Sequence, residues 1–194
     1  MGKKQMSILW ILKNKILFRN RYFGGSYEPK VKEYMKTQRG DIFMDIGSNR
    51  GIYSKMMKHR FNKIITIDTN PKYHANMQIA LSWFNGEADF YINANIGGAD
   101  SLIKDPYING QIWKNNSGFR VKVATFDSLQ INANLVKIDV EGSEFDVLEG
   151  MIKYIPDKII VELHNEHREQ ELIEKLESRN YFVRKLDMTH FIGE

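Results

Sequence analysis

Short apolar runs recur along the chain, each ending in a polar or acidic residue and most followed by a stretch with helical spacing. The first is Ile42, Phe43 and Met44. It stops at Asp45, and Gly47 and Gly51 then bracket a tight turn before a helix-like segment over residues 52–57. An unbroken apolar run of this kind suits a strand covered on both faces of a parallel sheet. Residues 63–68, 88–93, 135–139 and 158–163 repeat the pattern, 119–126 alternates like an added strand, and 181–186 reads as a closing strand. Between them the spacing predicts helices over 31–35, 71–84, 143–154 and 166–178. In the second of these, Met77, Ala80, Leu81 and Phe84 share a face, and Pro156 stops the third. Strands alternating with helices at this rhythm predict an α/β fold: a Rossmann-like, mostly parallel open sheet with helices on both faces.

The breakers divide the rest. Gly24, Gly25 and Pro29 mark an early loop, and residues 95–119 form a long one holding Gly97, Gly98, Pro106, Gly110, Tyr107 and Trp113. A loop of that length inside a compact domain is usually functional, and its aromatic residues suit a sugar or ring-bearing acceptor.

Charge changes the picture at one end only. The 194 residues carry a net +4, yet residues 1–22 hold six basic groups and no acid. The remainder has 22 basic against 24 acidic groups, so the body is near neutral and offers no general face for nucleic acid. We therefore expect a basic N-terminal arm over 1–22 and one domain over 23–194. Within the arm, residues 7–18 are apolar with a basic tail, too short to span a bilayer. They suit a helix capping the domain or a peripheral contact with an anionic membrane surface. A cytoplasmic protein is the expectation. The absence of cysteine excludes disulfides, thiolate catalysis and cysteine-ligated metals.

Candidate chemistry lies at the strand ends. A dinucleotide site places a third glycine for the pyrophosphate, G-x-G-x-x-G. Here the pattern is Asp45-x-Gly47-x-x-x-Gly51, which suits a cofactor with a cationic amino-acid end and no phosphate, such as S-adenosylmethionine. Asp68 follows Gly51 by 17 positions, near the spacing at which α/β nucleotide folds set a carboxylate on ribose hydroxyls. Asp139, Glu141 and His164 fall at the carboxyl ends of the fourth and fifth core strands, where open α/β sheets bind ligands. Asp139 and His164 are candidate bases, and Glu141 a group that orients the acceptor or supports them. The same trio has donors suited to a hard divalent cation, but with no third carboxylate assigned the reading favours a site without metal. Glu144, in a first helical turn, is equally explained by the helix dipole. Glu162 is expected to pair with a basic group for structural reasons.

Residues 41–54, 125–129, 136–144 and 160–164 together resemble the FkbM family of S-adenosylmethionine-dependent methyltransferases, colinearly over about residues 24–190. The segment Lys-Ile-Asp-Val-Glu-Gly-Ser-Glu, residues 137–144, is the most specific of them. The resemblance implies a class I methyltransferase fold of the seven-stranded type. By it, Asp45, Gly47, Ser48, Asn49 and Gly51 would line the methionine end of the cofactor. Asp68 would hold the ribose, with Thr69 and Asn95 near the adenine. It also implies O-methylation of a sugar, glycolipid or other small molecule. Two rivals share the fold. A nicotinamide-dependent oxidoreductase lacks support from a third glycine. An RNA methyltransferase of the amino-methylating kind would carry an Asn/Asp-Pro-Pro-aromatic turn where this chain reads Asp139-Val-Glu-Gly.

Overall fold

The computed structural model describes residues 27–92, 100–104, 107–108, 111–112 and 117–194. The chain divides into two compact units, Met1–Thr37 and Gln38–Glu194. The expected arm boundary at residue 22 lies outside the described residues, as do the helix proposed within the arm and Asn95. In the first unit a single helix is described, α1 (Pro29–Thr37), opened by proline at its first position. Among the described residues no helix is long and apolar enough to cross a membrane.

The second unit is built on a six-stranded sheet. Its strands are β1 (Gly40–Ile46), β2 (Phe61–Ile67), β8 (Leu135–Ile138), β9 (Lys158–Glu162), β10 (Val183–Lys185) and β11 (His190–Gly193), in the order β10-β11-β9-β8-β1-β2. β2, β1, β8 and β9 run parallel; β11 and β10 add antiparallel. Met44 of β1 lies between Ile65 of β2 and Val136 of β8. These residues join Ile46, Ile67, Ile138, Ile159 and Val161 in one buried core. β1, β8 and β9 are therefore strands enclosed on both sides, as their composition predicts, whereas β2 forms the sheet edge with Asn62 and Lys63 exposed. Short helices α2 (Ile52–Met57) and α3 (Glu144–Glu149) follow β1 and β8, and α4 (Glu169–Glu177) follows β9. From β1 the chain moves to β2 on one side, whereas β8 joins β1 on the other. This is the switch point beyond which α/β sheets bind ligands.

A smaller sheet consists of β3 (Ala80–Leu81), β7 (Ser117–Ala124) and β4 (Gly86–Ile92), around Ala80, Phe90, Val121 and Val123. A hairpin, β5 (Tyr107–Ile108) and β6 (Gln111–Ile112), stands apart in the long loop.

Three expectations are corrected. Residues 71–84 do not form a helix. One 3-10 turn, Pro71–Tyr73, gives way to extended chain, the Met77 N–H donates to the Thr66 carbonyl, and β3 follows. Asn76 accounts for the switch, because its Oδ1 accepts from both the N–H and the hydroxyl of Thr66 and pins the segment beside β2. Met77, Ile79 and Leu81 then alternate with period 2, a pattern that the same residues satisfy as well as a helical one. The strand over 88–93 is found as β4, but it pairs antiparallel with β7 in the smaller sheet. The helix expected to reach Tyr154 ends at Glu149. Beyond it the Asp127 carboxylate accepts the backbone N–H groups of Ile152, Lys153 and Tyr154 at 2.8–3.1 Å, turning the chain early. β11 went unpredicted: it inserts between β9 and the closing strand.

Candidate active site

The turn after β1 is shaped by two left-handed glycines, Gly47 (φ 77°) and Gly51 (φ 67°). Gly47 is required by the neighbouring strand: a Cβ there would lie 1.7 Å from the Asp139 carbonyl oxygen. Its small size lets the ends of β1 and β8 pass at the switch point. The N–H groups of Gly47 and Ser48 donate to the Ile67 carbonyl, that of Gly51 to Ser48, and that of Asn49 to the Asp68 carboxylate at 2.7 Å. The turn is thus held by its own protein partners, and these four amides are already engaged.

Asp45 is buried, and its Oδ2 accepts from the N–H and hydroxyl of Ser54 in the first turn of α2. Burial pushes its carboxyl above the usual range, against the pull of Lys137 and Ser54. It ties β1 to α2, and it does not line the cleft described next.

That cleft, with an empty volume of about 610 Å³ including open solvent, lies beyond the ends of β1, β2 and β8. Gly47, Asn49, Asp68 and Thr69 line one part of its wall, and Asp139 and Glu141 another. Ile46, Ile67, Ile79, Leu81, Phe90 and Leu102 supply apolar surface. Ser48 and Gly51 border a shallower groove nearby that shares Asn49. The apolar lining, Tyr73 and Asp100 were not anticipated. Tyr73, Ile79 and Leu81 come from the segment misread as helix, Asp100 and Leu102 from the region after β4, and Ile46, Ile67 and Phe90 from strands β1, β2 and β4.

Asp68 accepts one backbone N–H on each oxygen, from Asn49 at 2.7 Å and Asn70 at 2.8 Å. Each oxygen keeps a second lone pair for a ligand hydroxyl. Burial, only partly offset by these bonds, pushes its carboxyl up to about 6. Asn70 is fixed in turn, donating through Nδ2 to Asp100 at 2.8 Å.

The opposite wall belongs to a buried charge cluster. Lys137, 1 % exposed within β8, holds Asp139 Oδ2 at 2.8 Å and lies 4.9 Å from the Tyr53 ring centroid. Burial alone would raise Asp139, but Lys137 and His164 outweigh it and hold the carboxyl below its usual range. His164 Nδ1 sits 2.6 Å from Glu144 Oε1, and Nε2 sits 3.1 Å from Glu141 Oε2. Burial disfavours its charged form, yet the bonds to Glu141 and Glu144 keep its pKa well above the usual value. Burial pushes Glu141 up to about 7, against the pull of His164. Glu162 is raised by burial and by Asp139, and its Oε2 lies 3.4 Å from His190 Nε2. His190 Nδ1 in turn lies 2.8 Å from Asp187.

This geometry redistributes the expected roles. Both ring nitrogens of His164 face carboxylates, Nδ1 that of Glu144 and Nε2 that of Glu141, and the residue does not line the cleft. Glu141 reaches the cleft wall itself, from a left-handed backbone (φ 52°) followed by Gly142 (φ 98°). Glu144 does more than complement a helix dipole: fully buried, it accepts both the His164 contact and the Gly142 N–H at 2.7 Å. Asp187 and His190 carried no sequence signal, because β11 was not anticipated.

The model of the methyltransferase FkbM domain matches residues 45–183. The chain belongs to this family. It is accordingly a methyltransferase, and its Rossmann-like sheet is the family's class I fold. Among curated proteins none matches the sequence significantly. Among solved structures, the methyltransferase is similar to the precorrin-6Y C5,15-methyltransferase of Geobacter metallireducens (12% identity, 86% of this chain and 87% of that one, TM-score 0.47). It is also similar to the E. cuniculi Mtq2 complex that methylates a translation termination factor (10% identity, 88% and 92%, TM-score 0.47). A third is the precorrin 8W decarboxylase of Methanobacterium thermoautotrophicum (14% identity, 85% and 89%, TM-score 0.46).

Proposed function

We propose that the protein transfers the methyl group of S-adenosylmethionine to a hydroxyl of a sugar, glycolipid or similarly small acceptor. One observation carries this reading: a single cleft has Asp68 in one part of its wall and Glu141 in another. The residues fit the cofactor. Asp68 keeps acceptor capacity for two ribose hydroxyls, and Ile79, Leu81, Phe90 and Leu102 offer an apolar slot for a base. When bound, S-adenosylmethionine supplies an electrophilic methyl group on a sulfonium. Asp68 and Thr69 bind and orient its nucleoside, and the apolar lining excludes water from the reacting centre. Glu141 takes the acceptor's hydroxyl proton onto its carboxylate as the oxygen attacks. His164 and Lys137 hold Glu141 and Asp139 in place. The hairpin β5–β6 belongs to the long loop expected to shape acceptor choice; Trp113 of that loop lies outside the described residues.

Calorimetric titration with S-adenosylmethionine and S-adenosylhomocysteine tests the reading. Both should bind one equivalent, and Asp68→Ala should weaken them about 10- to 100-fold, as losing hydrogen bonds to a charged group implies. Binding of NAD in place of either ligand would overturn it.

A further inference from the structure

We propose that Asp139, Glu162 and His164 form a centre for one divalent transition-metal cation beneath the acceptor wall of the cleft. Their ligand atoms lie within 4.8 Å of one another. His164 Nε2 is 3.8 Å from Asp139 Oδ1 and 3.9 Å from Glu162 Oε1. These separations are too long for hydrogen bonds. They suit donors around one ion, since two atoms each about 2.1–2.2 Å from a cation lie roughly 3–4 Å apart. A proton on Nε2 answers Glu141 alone; a cation answers all three donors together.

The far atom of each donor is already held. Lys137 takes Asp139 Oδ2, Glu144 takes His164 Nδ1, and His190, backed by Asp187, faces Glu162 Oε2. Outer partners of this kind orient metal ligands: a carboxylate on one imidazole nitrogen fixes the tautomer and presents the other nitrogen to the ion. Glu144 and His164 have that relation. One imidazole with two carboxylates suits Mn²⁺ or a similar first-row ion better than Ca²⁺.

A second feature points to a ligand beside these groups. Ser143 is 3 % exposed and borders the same cleft as Asp139 and Glu141, yet its Oγ finds no hydrogen-bond partner among the described residues. A buried hydroxyl is seldom left so. A water carried by the cation would satisfy it. This inference stands on the donor geometry and is independent of which cofactor or acceptor binds.

Titration of the full chain with Mn²⁺, followed by electron paramagnetic resonance, tests it. One equivalent should bind, and electron spin-echo spectra should show coupling to a single imidazole nitrogen. That coupling should vanish in His164→Gln. Glu162→Gln should lose the bound ion as well, and Glu144→Gln should weaken it about 10- to 100-fold. Circular dichroism establishes that each variant is folded. A folded wild type that binds no Mn²⁺, or binds it without nitrogen coupling, overturns the proposal. So does binding left unchanged in folded Glu162→Gln. Because S-adenosylmethionine binding is read separately by calorimetry, the metal centre and the methyl-transfer reading fail independently.

Discussion

Glu141 combines two costs that a structural residue would avoid. Its backbone is left-handed, with φ at 52°, a conformation rare for a side chain without an amide or carboxylate near the backbone. Its carboxyl is also buried enough to titrate at about 7. Such costs persist where the surroundings over-determine the geometry, typically at functional sites. Asparagine tolerates the left-handed region and lacks the carboxylate. Glu141→Asn should therefore keep its melting temperature, to within about 1 kcal/mol of stability. Transfer of a labelled methyl group to sugar or glycolipid acceptors should fall about 10²- to 10⁴-fold, the usual contribution of a positioned base. Cofactor affinity, measured in the same preparation, should not change. Retained transfer would remove Glu141 from the chemistry.

At the scale of elements, what was legible followed from local pattern. β1 and β9 hold unbroken apolar runs, those of β2 and β8 are interrupted only by Thr66 and Lys137, and their ends delivered Asp45, Asp68, Asp139 and Glu141 directly. Residues 71–84 satisfied two periods at once. The choice between them was made by the bond from Asn76 to Thr66, which no local pattern encodes. α3 was overextended for a related reason: its end is set by Asp127, 25 positions away from Ile152. Three backbone N–H groups converge on that one carboxylate at a largely exposed turn, so Asp127→Ala should cost about 1–2 kcal/mol, because water replaces only part of a charged acceptor shared by three donors. Chemical denaturation checks this. A loss below about 0.5 kcal/mol, the range of ordinary surface changes, would mean that the turn after α3 is held by packing instead.

At the scale of the molecule, the site is a product of strand order. Asp68 and Glu141 are far apart in sequence and meet only because β8 lies beside β1 on the side away from β2. Strand-end motifs supplied Asp68, Asp139 and Glu141 of the cleft. Burial, which decides how they titrate, came from the fold. Asp68 shows the consequence for the whole chain. Its carboxyl titrates near 3.8 when unfolded and at about 6 in the folded protein. Folding therefore takes up a proton between those values. The stabilisation is fully present below about pH 4 and is lost as pH rises through about 6. Asp68→Asn removes this dependence, along with one acceptor oxygen, which is a pH-independent loss. The stability of the wild type relative to Asp68→Asn should thus be greater at pH 4.5 than at pH 7.5, by about 1–3 kcal/mol. Paired urea denaturation curves at the two pH values measure the difference directly. A relative stability that instead grew with pH would place the Asp68 charge in a favourable field within the empty protein, and the cleft would then have no unmet demand for hydroxyl donors on that side.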